Sequence, residues 1–258
     1  MTILNEIAEY TKKRYIEQEK VVPFEEIKSK ALKMDSNTGF PFEKALAICE
    51  VKKASPSKGI IAENFPYKEI AKDYEKAGAS AISCLTEPKY FKGKNLYLEE
   101  ISKEVSIPIL RKDFTVCAYQ IYEAKVIGAS AILLICAILT EEEIKEYLNI
   151  ATSLGLSALV EAHTEEEVKM ALNCGAKIIG VNNRNLKDFT VDINNCINLR
   201  KLVPKNILFV GESGIKTSTD IANLKEANVN AVLIGETLMR SEDKSKALTE
   251  LNGEPLHK

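Results

Sequence analysis

"AICEVKKASPSKG", residues 47 to 59, opens as a buried strand and then places Glu50, Lys52 and Lys53 where such a strand should carry no charge. Successive side chains on a strand point to opposite faces, so Glu50 and Lys52 share one face and Val51 takes the other. In a parallel sheet covered by helices, Val51 would face the helices. The two charges would face inward, at the C-terminal end of the strand.

The same design recurs along the chain. "ALAICEVK" (45 to 52) is followed by seven more short apolar runs: "AISCLTE" (81 to 87), "IPILRKDF" (107 to 114), "AILLIC" (131 to 136), "SALVEA" (157 to 162), "KIIGVNN" (177 to 183), "ILFVGES" (207 to 213) and "NAVLIGE" (230 to 236). Helical stretches such as "PYKEIAKDYEKAGA" and "EEEIKEYLNIATSLG" separate them, each ending in a small turn of the Gly78-Ala79-Ser80 kind. Strands alternating with helices indicate an α/β protein, and eight units in 258 residues indicate a closed (β/α)8 TIM barrel rather than an open doubly wound sheet. Residues 1–258 are expected to form one barrel domain. Its first 44 residues are read as an N-terminal helical extension, because Ile3, Leu4 and Ile7 fall on one helical face that needs a surface to cover it.

Composition narrows the partners. Lysine and arginine total 35 against 37 acidic residues, so a formal charge of -2 offers no footprint for nucleic acid or an anionic membrane. The six cysteines are scattered, with no C-x-x-C pair and no histidine at ligand spacing, which suggests reduced thiols and no metal site. The N-terminus is too charged for a signal peptide, and the longest apolar run, Ala131 to Leu139, is too short to span a bilayer. A cytoplasmic protein with a small-molecule partner is expected.

Polar residues close most of the other runs as well: Glu87, Lys112, Glu161, Asn182, Glu212 and Ser213. A barrel brings its C-terminal strand ends to one mouth, so Glu50, Lys52, Lys112, Glu161, Asn182 and Glu212 are expected to line one cavity. Any one of them alone reads as a solvated strand end or a structural ion pair. As a set they make a costly desolvated network, which a reaction explains more readily than stability does. "GESGIKTSTD" and "IGETLMRSED" place glycines and a short helix start after the last two strands, where such barrels bind phosphate through backbone N–H groups. "SPSKG" adds hydroxyls beside them. Pro56, Phe91, Phe114, Leu133 and Leu186 each read alone as core or loop packing, but together with the apolar end of the fourth run they are expected to form a wall for a flat ring. A lysine held among other cations and partly desolvated gives up its proton more readily than a free one, which makes these lysines acid candidates. His163 joins the face of Glu161 only if the fifth strand continues that far, and otherwise lies in a loop; His257 belongs to the tail.

"EVKKASPSKG", "LTEPKYFKG", "ILRKDF", "VEAHTEEE", "IGVNNRNL", "ESGI" and "LIGETLMR" together resemble the successive signatures of the indole-3-glycerol phosphate synthase family. The resemblance runs from the N-terminal helix through the eighth strand. It implies a carboxy-lyase of tryptophan biosynthesis, without metal or organic cofactor. The reaction would close 1-(2-carboxyphenylamino)-1-deoxyribulose 5-phosphate to indole-3-glycerol phosphate, releasing carbon dioxide and water. Carried over motif by motif, it makes Lys112 the general acid and gives Glu161 the later proton removal. Lys52 would hold the substrate carboxylate and share acid duty, with Glu50 placing it. Asn182 and Glu212 would orient sugar hydroxyls, and Arg184 would lie near the anthranilate carboxylate. Leu233 would join the ring wall, and phosphate would rest on Ser55, Ser213, Gly214, Gly235 and Glu236. The resemblance further implies a monomer, able to associate with other enzymes of the pathway. Two positions depart from the pattern: Cys117 replaces an acidic residue at a helix start, leaving that cap in question, and Gly211 replaces a bulkier residue, which would loosen the seventh strand. Two other readings compete. A related phosphosugar barrel such as phosphoribosylanthranilate isomerase would show an acid and cysteine pair in place of two lysines. A catalytically silent barrel that only binds a phosphorylated ligand would lack Lys112 or Glu161.

Overall fold

The computed structural model describes residues 2–35, 39, 47–185 and 188–253. Within them the eight apolar runs form eight parallel strands: β1 (Ala47–Val51), β2 (Ala81–Leu85), β3 (Ile109–Lys112), β4 (Ala131–Ile135), β5 (Ser157–Ala162), β6 (Ile178–Asn182), β7 (Leu208–Glu212) and β8 (Ala231–Ile234). Each pairs with its neighbours in sequence, and β1 pairs with both β2 and β8, which closes the barrel. The loop after β1 folds into a two-residue antiparallel ladder, Ala54–Ser55 against Gly59–Ile60.

Alternation along the strands splits the core in two. Cys49, Val51, Ile82, Val160 and Phe209 point outward and pack with the surrounding helices in one cluster. The inward cluster includes Ile48, Leu110, Leu159 and Val210, one from each odd-numbered strand and each essentially inaccessible to solvent. Barrels of this kind fill their interior in layers of four side chains taken from alternate strands. Two residues further along the same four strands stand Glu50, Lys112, Glu161 and Glu212. A charged layer therefore sits directly on an apolar one.

The outer ring comprises α3 (Tyr67–Lys76), α4 (Asn95–Ile101), α5 (Ala118–Val126), α6 (Glu141–Ser153), α7 (Glu165–Asn173), α8 (Asn194–Arg200), α9 (Ser218–Glu226), α10 (Glu236–Arg240) and α11 (Lys244–Leu251). The turn residues expected to stop helices do so in the left-handed region, with Gly78 at φ 86° and Asn228 at φ 62°. Gly211 does not loosen β7. It is paired to Val232 on one side and Val181 on the other, and the Cys196 sulfur and Leu224 occupy the space its missing side chain leaves.

The extension holds two helices where the sequence suggested one, α1 (Ile3–Val21) and α2 (Phe24–Leu32). Pro23 divides them, because it has no N–H to donate and forces Val22 into an extended conformation, φ -124° and ψ 109°. Leu4, Ile7, Ala8, Thr11 and Tyr15 form the buried stripe of α1, while α2 packs Phe24 edge-on against Tyr122 of α5. Buried polar groups anchor α1. Arg111, on the opposite face of β3 from Lys112, donates to Tyr15 Oη at 2.8 Å and to Glu123 at 2.7 Å, and Tyr15 Oη itself donates to Glu123 at 2.5 Å. Next to it, Arg14 reaches Asp113 at 3.2 Å. Removing the Tyr15 hydroxyl leaves Arg111 and Glu123 each short of a buried partner. Tyr15→Phe should therefore cost about 1–3 kcal/mol of stability in urea unfolding, and an unchanged midpoint would contradict this account.

Candidate active site

The C-terminal ends of the strands open into a cavity of about 510 Å³. That is within the range of roughly 300–1,000 Å³ typical of small-ligand sites. Glu50, Lys52, Lys112, Glu161, Asn182 and Glu212 all line it, as the sequence led one to expect. So do Ser55, Pro56, Phe91, Phe114, Leu133, Arg184, Ser213, Gly214, Leu233, Gly235 and Glu236. Leu186 lies outside the described residues. Glu87 is fully buried but turns away from the cavity; its carboxylate accepts from the backbone N–H groups of Lys89, Tyr90 and Phe91 and shapes the loop that carries Phe91.

Lys112 is the centre of the charged layer. Its ammonium donates to Glu161 Oε2 at 2.9 Å and to Glu212 Oε2 at 2.5 Å. Lys52 makes a separate short pair with Glu50. The expectation that Lys112 stands among cations is therefore wrong, since its partners are carboxylates. Burial pulls its pKa down, but Glu161 and Glu212 outweigh burial and hold it above the ordinary lysine value. Lys112 thus keeps its proton until an acceptor of rising basicity appears beside it.

The two glutamates divide one constraint between them. Burial would raise Glu161, yet Lys112 and the neighbouring His163 lower it to about 2. Burial and the negative charge of Glu161 push Glu212 up to about 7. Like charges this close cannot both be held cheaply, so one carboxyl of the set is held above the ordinary carboxylate value. Glu212 also keeps one buried oxygen, Oε1, without a hydrogen-bond partner. Gly180 makes room for that oxygen, because a side chain at this position would collide with it. Gly235 plays the same part for the Glu50–Lys52 pair, whose atoms fill the space a Cβ would need.

Asn182 Nδ2 approaches Glu161 Oε1 at 3.5 Å, and its Oδ1 accepts from the Arg184 N–H at 3.0 Å. The Arg184 side chain donates to the Phe189 carbonyl at 3.2 Å and lies 3.8 Å from Glu236. After β7 the chain passes through consecutive left-handed residues, Ser213 at φ 65° and Gly214 at φ 84°, and Asn183 donates to the Ser213 carbonyl at 3.0 Å. Phe91 and Phe114 meet at a tilt of 40°, 6.2 Å between centroids. Cys117 opens α5 without a side-chain cap; Gln120 ties down that loop instead, accepting from Val116 N–H at 2.8 Å and donating to the Phe114 carbonyl at 2.9 Å.

The sequence reading missed part of the wall. Ile3, Leu4 and Ile7 of α1 reach the cavity, as do Lys58, Phe189 and Val191. The helical spacing of the first three signalled a buried face but not which end of the barrel it covers. Among the described residues no group of three His, Cys, Asp or Glu side chains is placed to hold a metal ion, and no helix is long and apolar enough to cross a membrane.

Residues 4–251 match the family model for indole-3-glycerol phosphate synthase. The chain belongs to this family. A relative named indole-3-glycerol phosphate synthase from Ruminiclostridium cellulolyticum is 58% identical over 97% of this chain and 99% of its own length. One of the same name from Lachnoclostridium phytofermentans is 52% identical, covering 96% and 98%. Among solved structures, 3-hexulose-6-phosphate synthase from Salmonella typhimurium superposes with a TM-score of 0.67 at 10% identity, over 81% of this chain and 97% of that one, which speaks to the fold alone. Synthase family members are carboxy-lyases of tryptophan biosynthesis.

The raised Glu212 gives this family member a pH signature. Between its ordinary value of 4.5 and about 7 the folded chain holds a proton that the unfolded chain has shed. Its stabilising contribution is therefore complete below the first value and lost as pH rises through the second. Glu212→Gln keeps the shape and cannot ionise. Its melting temperature should fall less than that of the wild type between about pH 5 and about pH 8; parallel falls in thermal scans would reject the assignment.

Proposed function

We propose that this chain converts 1-(2-carboxyphenylamino)-1-deoxyribulose 5-phosphate to indole-3-glycerol phosphate, carbon dioxide and water. The observation that carries this reading is the Lys112 ammonium, held between Glu161 and Glu212 over an apolar layer at the mouth of a cavity with an apolar wall. The flat ring would lie against Pro56, Phe91, Phe114, Leu133, Leu233 and the first turn of α1. The phosphate would rest on Ser55, on the backbone of Ser213 and Gly214, and on that of Gly235 and Glu236.

Each step uses a group already in place. The ring carbon bearing the carboxylate attacks the sugar carbonyl, and Lys112 gives a proton to the oxygen as it becomes alkoxide-like, the one acceptor basic enough to draw it. The bond to the carboxylate then breaks, its electron pair restores the aromatic ring, and carbon dioxide leaves. The new hydroxyl departs as water with a second proton, supplied by Lys52, while the adjacent carbon gives a proton to Glu161. Two protons enter and one leaves. The balance is met because the substrate carboxylate is lost as neutral carbon dioxide, so one proton per turnover comes from solvent. Before it acts as a donor, Lys52 holds that carboxylate, positioned by Glu50; Asn182 and Glu212 orient the sugar hydroxyls, and Arg184 lies on the anthranilate side. A cytoplasmic location accords with the six scattered cysteines, which read as reduced thiols.

A continuous fluorescence assay of indole formation tests this directly. The wild type should turn over, and Lys112→Ala should fold normally and lose about 10²- to 10⁴-fold in kcat. A folded wild type that makes no product would reject the reaction, and a Lys112→Ala variant with near-normal kcat would reject the acid. Lys52→Ala should raise KM as well as lower kcat, because it removes a contact made to the bound substrate. An unchanged KM would count against the carboxylate contact.

A further inference from the structure

His163 lies just beyond the end of β5 and does not line the cavity, yet it stands directly behind the proposed base. Its Nδ1 is hydrogen-bonded to Glu167 Oε2 at 3.1 Å, and its buried Nε2 lies 3.4 Å from Glu161 Oε1, within ion-pair range but without a hydrogen bond. Glu167 also accepts from the His163 backbone N–H at 2.6 Å, and its own N–H is capped by Thr164 at 3.3 Å. The first turn of α7 therefore fixes the imidazole from one side, and Asn195 holds its carbonyl at 3.2 Å. Both ring nitrogens face carboxylate oxygens, which only accept hydrogen bonds. A neutral ring can donate to Glu167 but then turns a lone pair toward Glu161, whereas the imidazolium meets both carboxylates as a cation, by hydrogen bond to Glu167 and by charge alone to Glu161.

The consequence falls on Glu161. Its Oε2 is fixed by Lys112, but Oε1 has only the long 3.5 Å contact from Asn182 besides the imidazole. We propose that His163, held as an imidazolium between Glu161 and Glu167, is a positioning residue that fixes the free oxygen of the base and releases it when the ring loses its proton. The role in turnover rests on the reaction proposed above. The groups facing the imidazole are Glu161 of β5, Glu167 of α7 and Glu212 of β7, with Lys112 of β3 one carboxylate away. Burial pulls the ring's pKa down, but Glu167 and Glu161 outweigh burial and hold it above the usual histidine value. Activity is therefore lost as pH rises through that raised value.

Three variants separate this from a merely structural role. His163→Asn reproduces the Nδ1 side, toward Glu167, and does not reach Glu161. It should keep the melting temperature and a KM within about twofold while kcat falls roughly tenfold or more, a modest share of what a misplaced base costs. His163→Gln places a permanent donor near Glu161 and should restore most of kcat, with the alkaline fall of the wild type gone. Glu212 titrates nearby in both proteins, so the difference between their profiles isolates the histidine. The chain has only two histidines. In His257→Gln protein the NMR signal of the remaining imidazole should therefore titrate above the usual histidine range, and this value should drop when Glu167→Gln or Glu161→Gln is added. Wild-type kcat and pH profile in both His163 variants, or an imidazole indifferent to the two glutamates, would overturn the proposal. If the wild type makes no product, the reaction reading fails, while the titration still decides how the imidazole is held.

Discussion

A single ammonium shared by two buried carboxylates governs the rest of this molecule. Charges out of water are tolerated only where their partners are fixed, and Lys112, Glu161 and Glu212 come from β3, β5 and β7, strands that only barrel closure brings together. The apolar layer of Ile48, Leu110, Leu159 and Val210 beneath them closes the interior to solvent from below. That raises the cost of any misplaced charge above it and strengthens every interaction that is satisfied. Gly180 and Gly235 follow from the same requirement, since the carboxylates and Lys52 occupy the volume their side chains would have taken.

The two faces of β3 carry different duties. Lys112 points into the barrel, whereas Arg111 points out and Asp113 begins the loop beyond, each joined to α1 through Tyr15 or Arg14. Asp113 is held twice more, accepting from the Thr86 hydroxyl at 2.8 Å and from the Phe114 N–H at 2.8 Å. The lysine thus stands on a stretch of backbone gripped on both sides. Such support keeps the ammonium in register with its two carboxylates.

Much of this was legible in the sequence, for a physical reason. Eight apolar runs and the polar residue at most of their ends are properties of individual strands, written locally, and period-two alternation shows which side chains share a face. What stayed hidden depends on elements distant in the chain. Lys112 was read as a cation among cations because nothing local says that Glu212, 100 residues later, will lie at 2.5 Å. Gly180 and Gly235 look like ordinary turn or strand glycines until the side chains that fill their space are known. His163 was ambiguous because its orientation is set by Glu167, through a helix start that the "HTEEE" letters permit but do not impose. The break in the extension was written in Pro23 and could have been read from it.

The mouth of the cavity has two sources in the chain. Its charges come from strand ends, whereas part of its apolar wall, at Ile3, Leu4 and Ile7, comes from a helix that precedes the barrel and contributes none of the cavity's charged side chains. Contour and field are encoded separately. Substitutions in the first turn of α1 can reshape what the cavity admits without disturbing the ion pairs, and the barrel can tune its proton affinities without altering that wall. A fold divided in this way lets selectivity and reactivity diverge under independent pressures.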